Sequence, residues 1–378
     1  MPLRRRYGLS PDQEEAVWTL VRHLTKLPVF EIAEYVVLLS EHFHAGKSVT
    51  PWTTSEFQAA YLLYFYPLGV ARAKAVMNEA QRLRFLEGID GFVELGSGPG
   101  TLTGELVAAG LSGKCVEISK EAVELHRKLG GDSVIWASKV PNEGMDRQIF
   151  CSSYVLNELE APREGKTDGK RGPEGDLSRR SAVDFDKYSG VLLLEPSTRK
   201  DFARLARVRA GLIAKGWTIC APCTHQLACP LANERDWCHD RVEFDPPHWW
   251  KELESCLPMK NRTITFSYLL ARREATTQVQ KIDCAAASEG VGAPQTGFHP
   301  ARIVGDQMKE KGKTRAMVCR GEEREFLSWL DRDNIDLQLE RGDVVALSSE
   351  LEKKGNEVRV TNRDFISGDF SKHHFVRT

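Results

Sequence analysis

Two stretches of the 378-residue sequence combine residue types at spacings that could do chemistry. The first runs Cys220-Ala221-Pro222-Cys223-Thr224-His225-Gln226-Leu227-Ala228-Cys229-Pro230 and then Asp236-Trp237-Cys238-His239, placing four cysteines and two histidines within twenty residues. Thiolates on a proline-punctuated loop suit zinc or an iron–sulfur cluster, since both accept tetrahedral sulfur ligation. The spacing is neither the paired C-x2-C knuckles of a zinc ribbon nor the C-x3-C-x2-C triplet of radical SAM enzymes. Cys220-x2-Cys223 could contribute two ligands to zinc. The second stretch is Gly91 to Gly100, GFVELGSGPG, continuing as TLTGELVAAG. An apolar run (Phe92, Val93, Leu95) ends in Gly96, Gly98 and Gly100, then gives way to Leu102, Leu106 and Val107 at helical spacing. That reads as strand, tight turn, helix, the opening of a nucleotide-binding βαβ unit. Glycine suits such a turn because the backbone must bend sharply and pass close to a ligand.

A dinucleotide fingerprint G-x-G-x-x-G fails here, because its last place falls on Thr101 or Thr103. The pattern from Glu94 is E-x-G-x-G-x-G, which resembles the first motif of class I S-adenosylmethionine (SAM) methyltransferases. The next strand ends Lys114-Cys115-Val116-Glu117, seventeen residues past Gly100. An acid there can accept hydrogen bonds from both hydroxyls of a cofactor ribose; the competing reading is a cap for the helix that begins ISKEAVELHRKLG. Ser153 and the residues after it, Tyr154-Val155-Leu156-Asn157-Glu158-Leu159, fall at the carboxyl end of the fourth strand, where ligands bind in such sheets. Ser153 is a candidate cofactor contact alongside Glu94, the three glycines and Glu117. The Asn-Pro-Pro-aromatic motif of amino-group methyltransferases is absent. Glu158 and Glu195 could be bases, but helix-start acids are the favoured reading, and the catalytic group is left unassigned.

The elements that must position these residues follow from periodicity. Apolar strands at 92–95, 114–117, 133–137, 148–153, 190–195 and 217–221 alternate with helices. Such alternation implies a doubly wound parallel sheet covered on both faces. Residues 1–90 read as a helical N-terminal domain, 91–274 as the SAM-type domain with a mobile insertion at 160–187 and the Cys-rich loop at 220–239. Residues 275–300 read as a linker and 301–378 as a small C-terminal β module with strands near 344–347 and 357–360. The aromatics Tyr61, Tyr64 and Phe65 sit at core spacing. Lys200, Arg204, Arg207 and Lys215 form a basic stripe on one helix, and Lys309, Lys311, Lys313, Arg315 and Arg320 a second basic run. Each either faces RNA phosphate or is a solvated surface.

Composition sets the bounds: 41% hydrophobic, 28% charged and a net charge of -1, so any contact with nucleic acid must be local. No apolar span is long enough for a bilayer, and MPLRRRYGLSPDQEE resembles no secretory signal. A cytoplasmic monomer without membrane contact is expected. In a reducing compartment nine cysteines are not a disulfide framework, and Cys115 and Cys151 read as small buried hydrophobes.

The glycine motif, SYVLNEL after the fourth strand, LLLEPST at the fifth and APCTHQLACPLANERDWCH together resemble one family. It is that of mitochondrial small-ribosomal-subunit assembly factors described as methyltransferase-like, with their bacterial relatives, over roughly residues 60–320. The resemblance implies a class I methyltransferase fold that binds SAM. It also implies a [4Fe–4S] cluster on Cys223, Cys229 and Cys238 of the loop and on one distant cysteine, best matched by Cys319. Cys256 and Cys284 compete for the fourth place; Cys220 stands where the family has an aliphatic residue. His225 and His239 would orient the site from behind the ligands, and the cluster would staple the C-terminal part to the SAM domain. The implied function is assembly or translation work on the small ribosomal subunit and its rRNA. An active rRNA methyltransferase and a zinc-stabilised small-molecule methyltransferase are the alternatives.

Overall fold

The computed structural model describes residues 5–45, 50–131, 133–137, 139–140, 145–156, 183–233, 235–273, 298–335, 337–348 and 351–360. The chain enters through β1 (Arg6–Gly8) and α1 (Pro11–Leu24). Ser10 caps α1: its Oγ accepts the Gln13 N–H at 3.3 Å while Gln13 Oε1 accepts the Ser10 N–H at 2.9 Å. Pro11 takes the first helical position, where a missing N–H is no loss. Then come α2 (Val29–His44), α3 (Ser55–Ala60) and α4 (Tyr66–Arg82), with one π-helical turn, Tyr61–Phe65, joining the last two. The aromatics of that turn lie in or against the core, Tyr64 stacking on Trp250 with ring centroids 5.1 Å apart.

The next elements are β2 (Gly91–Leu95), α5 (Thr101–Ala108), β3 (Ser112–Val116), α6 (Lys120–Lys128), β4 (Ile135–Ala137) and β5 (Met145–Ser153). They are followed by β6 (Tyr188–Glu195), α7 (Arg199–Ala214), β7 (Trp217–Ala221), β8 (Asp240–Asp245), α8 (Trp250–Ser255) and β9 (Thr263–Arg273). Six of these strands coincide with the six read from the sequence. The sheet runs β4-β3-β2-β5-β6-β9, with β7 and β8 both pairing β9 and β1 outside β8. β2 to β6 are mutually parallel, whereas β9 runs antiparallel to β6, β7 and β8. Chain order reverses at β2 and β5, and the crevice outside their carboxyl ends is where ligands bind in such sheets.

Alternating residues of each strand serve opposite faces. Phe92, Cys115, Ile149 and Cys151 pack with Leu102 and Leu106 of α5 and with Val17, Ile32, Leu62 and Val76 of the N-terminal helices in one core. Val93, Phe150, Val191 and Leu193 pack on the other side against Leu205, Val208 and Leu212 of α7. Each such side chain contributes about 1.5–3 kcal/mol when fully buried.

A second sheet is built from β10 (Phe298–Ile303), β11 (Met308–Glu310), β12 (Lys313–Cys319), β13 (Glu325–Leu330), β14 (Val344–Ser348), β15 (Lys353–Lys354) and β16 (Glu357–Arg359). Its order is β14-β10-β12-β13-β16-β15, with β11 on β12, around its own core of Ala301, Val318, Leu327, Val345 and Val358. Two arginines, Arg302 buried and Arg5 half-buried, join it to the rest. Arg302 pairs with Glu79 of α4 and donates to the Gly342 carbonyl at 2.9 Å. Arg5 donates to both oxygens of Asp240, at 2.6 and 2.9 Å, and to the Arg341 carbonyl at 2.6 Å. The expected insertion at 160–187 and linker at 275–300 lie outside the described residues apart from their last few. Of these, Val183 is buried and Phe185 sits 5.3 Å from Phe150.

Candidate functional site

Gly96, Gly98 and Gly100 follow β2 with φ of +67, +52 and +87°, the left-handed region that favours glycine. A Cβ at Gly96 would fall 2.5 Å from Val155 Cγ2 and one at Gly100 2.2 Å from His126 Nδ1, while one at Gly98 would meet nothing within 4 Å. Gly98 is therefore on the open side of the loop. The loop is pinned where the Gly96 N–H donates to the Val116 carbonyl at 2.7 Å and the Gly98 N–H to Glu117 Oε2 at 2.9 Å. Glu117 Oε1 accepts the N–H groups of Ile118 and Ser119 at 2.8 and 2.9 Å. The carboxylate thus ties the loop to the start of α6. Three of its roughly four lone-pair sites are used, so a ligand diol would share or displace the Gly98 bond. Ile118, which the sequence reading passed over, stands beside it 82% exposed. Ser153 is half-buried at the opposite lip, one residue beyond the Leu95–Ser152 register pair of β2 and β5.

Glu94 is placed differently. It is fully buried, its Oε2 accepts the Thr103 hydroxyl, and its Oε1 has no partner. Burial pushes its carboxyl up to about 8 against the pull of Thr103, so it is largely protonated at neutral pH and supports the loop from within. Glu195 is likewise buried and pushed up to about 8 by burial. Its Oε1 accepts the N–H groups of Val155 and Leu156 at 3.2 and 3.1 Å. That fixes the turn after β5, where Tyr154 takes φ +65°. Glu195 ends β6, four residues before α7, and is engaged by the backbone after β5 rather than at the start of its own following helix; Glu158 lies outside the described residues.

The four predicted sulfur ligands meet. Cys223, Cys229, Cys238 and Cys319 line one cavity of about 40 Å³, walled by apolar side chains including Phe202, Leu205, Leu231 and Val304. Three come from the loop between β7 and β8 and the fourth from the end of β12. Thr224 Oγ1 donates to the Cys319 carbonyl at 3.2 Å across that gap. Cys220 packs instead against the main core and Cys256 is exposed; Cys284 is outside the described residues. Among the described residues no group of three or more His, Cys, Asp or Glu side chains is set to hold a single metal ion. The donor set is all sulfur, the chemistry that an iron–sulfur cluster takes.

The electrostatics of the cavity favour neutral thiols. Burial and then its thiol neighbours push Cys238 well up, and the same two causes push Cys319 up to about 12. Burial also raises Cys223, against the pull of Arg209. Four thiolates could not coexist here without positive charge between them. Burial, with Arg209, lowers His225 to about 4, and burial, with Arg341, lowers His239 to about 4, so both are neutral. His225 Nε2 lies 3.3 Å from Cys319 Sγ and can donate to it. His239 lines the cavity with its Nδ1 3.3 Å from the Trp237 carbonyl.

Both basic stripes change character. Arg204 is buried against Asp201 at 2.5 Å, and Lys215 pairs with Asp186 at 2.8 Å; Lys200 and Arg207 are exposed. In the second run, Arg315 pairs with Glu310 at 2.7 Å and Arg320 with Glu325 at 2.6 Å, and Lys313 pairs with Glu357. Acids on other strands of the same sheet therefore neutralise much of that run. Among the described residues no helix is long and apolar enough to cross a membrane.

A parallel sheet that reverses order at β2 and β5, with antiparallel β9 between β6 and β7, a glycine loop after β2 and an acid after β3, defines the class I SAM-dependent methyltransferase fold. Residues 130–328, just over half the chain, match the family described as mitochondrial small ribosomal subunit Rsm22, and the chain belongs to that family. Among solved structures it is similar to a protein of Pyrococcus horikoshii described as a candidate RNA methyltransferase (16% identity, 52% of this chain and 84% of the other, TM-score 0.29). It is also similar to the magnesium protoporphyrin IX methyltransferase of Synechocystis with bound SAM (11%, 54% and 80%, TM-score 0.30). At these scores the fold assignment stands on the strand order rather than on either likeness. No curated protein matches the chain in sequence.

Proposed function

We propose that the chain is a factor of the small ribosomal subunit that engages its rRNA during assembly or translation, acting as a single chain in the compartment that holds that ribosome. In this reading it binds SAM at the glycine loop, with Gly96, Gly98 and Gly100 shaping the cradle, Glu117 meeting the ribose hydroxyls, Ser153 at the facing lip and Glu94 supporting from behind. Cys223, Cys229, Cys238 and Cys319 hold a [4Fe–4S] cluster. When bound, the cluster supplies positive charge and a covalent tie between the loop and β12. The chain's own contribution is a dry pocket whose four thiols converge and whose neutral histidines approach without adding charge. The fold serves as a binding scaffold, and no general base is assigned.

The observation that carries this is the convergence of four cysteines, from segments some eighty residues apart, on one buried cavity of a chain in this family. The test is the iron, acid-labile sulfide and zinc content of protein purified without oxygen, beside Cys229→Ser. About four irons and four sulfides per chain are expected, lost in the variant together with co-sedimentation with small subunits. One zinc and no sulfide would overturn the cluster. Retained co-sedimentation in an iron-free variant would detach the cluster from ribosome binding.

A further inference from the structure

We propose that Arg209 is the internal counter-ion of the cysteine site, holding the Cys loop in its ligating shape and raising the reduction potential of the cluster. The inference rests on the [4Fe–4S] reading above. Arg209 projects from α7 into the cavity wall, 5% exposed. Its Nε donates to Cys223 Sγ at 3.1 Å, and its Nη2 donates to the carbonyls of His225 and Leu227, both at 2.9 Å. Of the other buried arginines, Arg204 faces Asp201 and Arg302 faces Glu79, while Arg272, away from this cavity, donates to the carbonyls of Phe85 and Glu87; the half-buried Arg5 has Asp240. Arg209 has no such carboxylate among the described residues. The acid that lines the same cavity, Asp240, is held by both nitrogens of Arg5.

A guanidinium does not escape burial by losing its proton, and an unmatched buried charge is strongly unfavourable. The fold therefore keeps a fixed positive charge at the cavity wall that a thiolate set can balance. Two effects follow for this chain's ligands. The fork spanning the carbonyls of residues 225 and 227 sets the turn between Cys223 and Cys229 from inside, while the N–H···S bond aims the Cys223 sulfur. The positive charge, in surroundings of low dielectric, also favours an added electron in the cavity.

The test compares full-length wild type, Arg209→Met and Arg209→Lys, all purified without oxygen. The readouts are iron and sulfide content, the midpoint potential from a mediated titration followed by electron paramagnetic resonance, and the rate of iron loss to a chelator. Arg209→Met is expected to assemble the cluster with a more negative midpoint and to lose iron about ten-fold faster or more. Arg209→Lys is expected to keep most of the potential yet lose iron nearly as fast, since one ammonium cannot span a sulfur and two carbonyls. A wild-type midpoint and rate in Arg209→Met would overturn the inference while leaving the cluster reading intact. If Arg209→Met does not fold, an unchanged rate in Arg209→Lys overturns it. A wild-type chain without iron and sulfide removes the cluster reading and this inference together.

Discussion

Gly98→Ala and Gly100→Ala, two positions apart in one loop, should fail in opposite ways. Both glycines have positive φ, and forcing a side chain there costs about 1–2 kcal/mol. At Gly98 that is the whole effect on stability, because a Cβ there would meet nothing within 4 Å. At Gly100 the Cβ would sit 2.2 Å from His126 Nδ1. His126 cannot retreat: it is 4% exposed, Gly131 leaves no slack at its Nε2 edge, and Trp136 meets its ring at 5.1 Å. Overpacking of this kind adds about 1–3 kcal/mol, bringing Gly100→Ala to roughly 2–5 kcal/mol. Urea unfolding measures the stabilities, and titration calorimetry with SAM measures the ligand site. The expectation is a loss of about 1–2 kcal/mol with affinity reduced at least ten-fold for Gly98→Ala, and a clearly lower unfolding midpoint still for Gly100→Ala. Equal stabilities would refute the packing argument. Wild-type SAM affinity in Gly98→Ala would refute the open side of the loop as the cofactor cradle.

Glu94 and Glu195 are both pushed up to about 8 by burial. Folding therefore favours their protonated forms, and the stability they contribute is complete below about 4.5 and is lost as pH rises through about 8. The thermal midpoint should fall over that window, by the equivalent of a few kcal/mol, and Glu94→Gln should flatten the slope; an unchanged slope in Glu94→Gln and Glu195→Gln together would sink this account. Arg302→Met should destabilise by about 3–5 kcal/mol in urea. The reason is that it takes away one of the two guanidinium partners, Arg302 and Arg82, that hold the buried Glu79 carboxyl down at about 2, and leaves the Gly342 carbonyl without its donor; Glu79→Met alongside it should restore part of the loss, and a single-variant effect below about 1 kcal/mol would show the pair is dispensable.

Local patterns carried much of the fold. The strands of the parallel sheet, the glycine turn and the Ser10-to-Gln13 helix start depend on residues near in sequence, so period, turn chemistry and capping expose them. The density of cysteines between 220 and 239 was legible for the same reason. What the sequence left open depends on partners far along the chain. β9 is an apolar run whose place between β6 and β7 is set by pairing, and β10 to β13 are too short and mixed to stand out. The stripe through Lys200, Arg204 and Arg207 looks uniform by spacing, yet Asp201 beside it turns Arg204 inward. Arg209 carried a weaker signal, a charge on the apolar face with Phe202, Leu205 and Leu212, and its meaning appeared only once Cys223 lay 3.1 Å away. The glycine loop could be read because its function is written in backbone conformation. The sulfur site needed the tertiary structure, because bringing Cys319 to the loop takes two sheets and two ion pairs, Arg5 with Asp240 and Arg302 with Glu79, to hold the segments together.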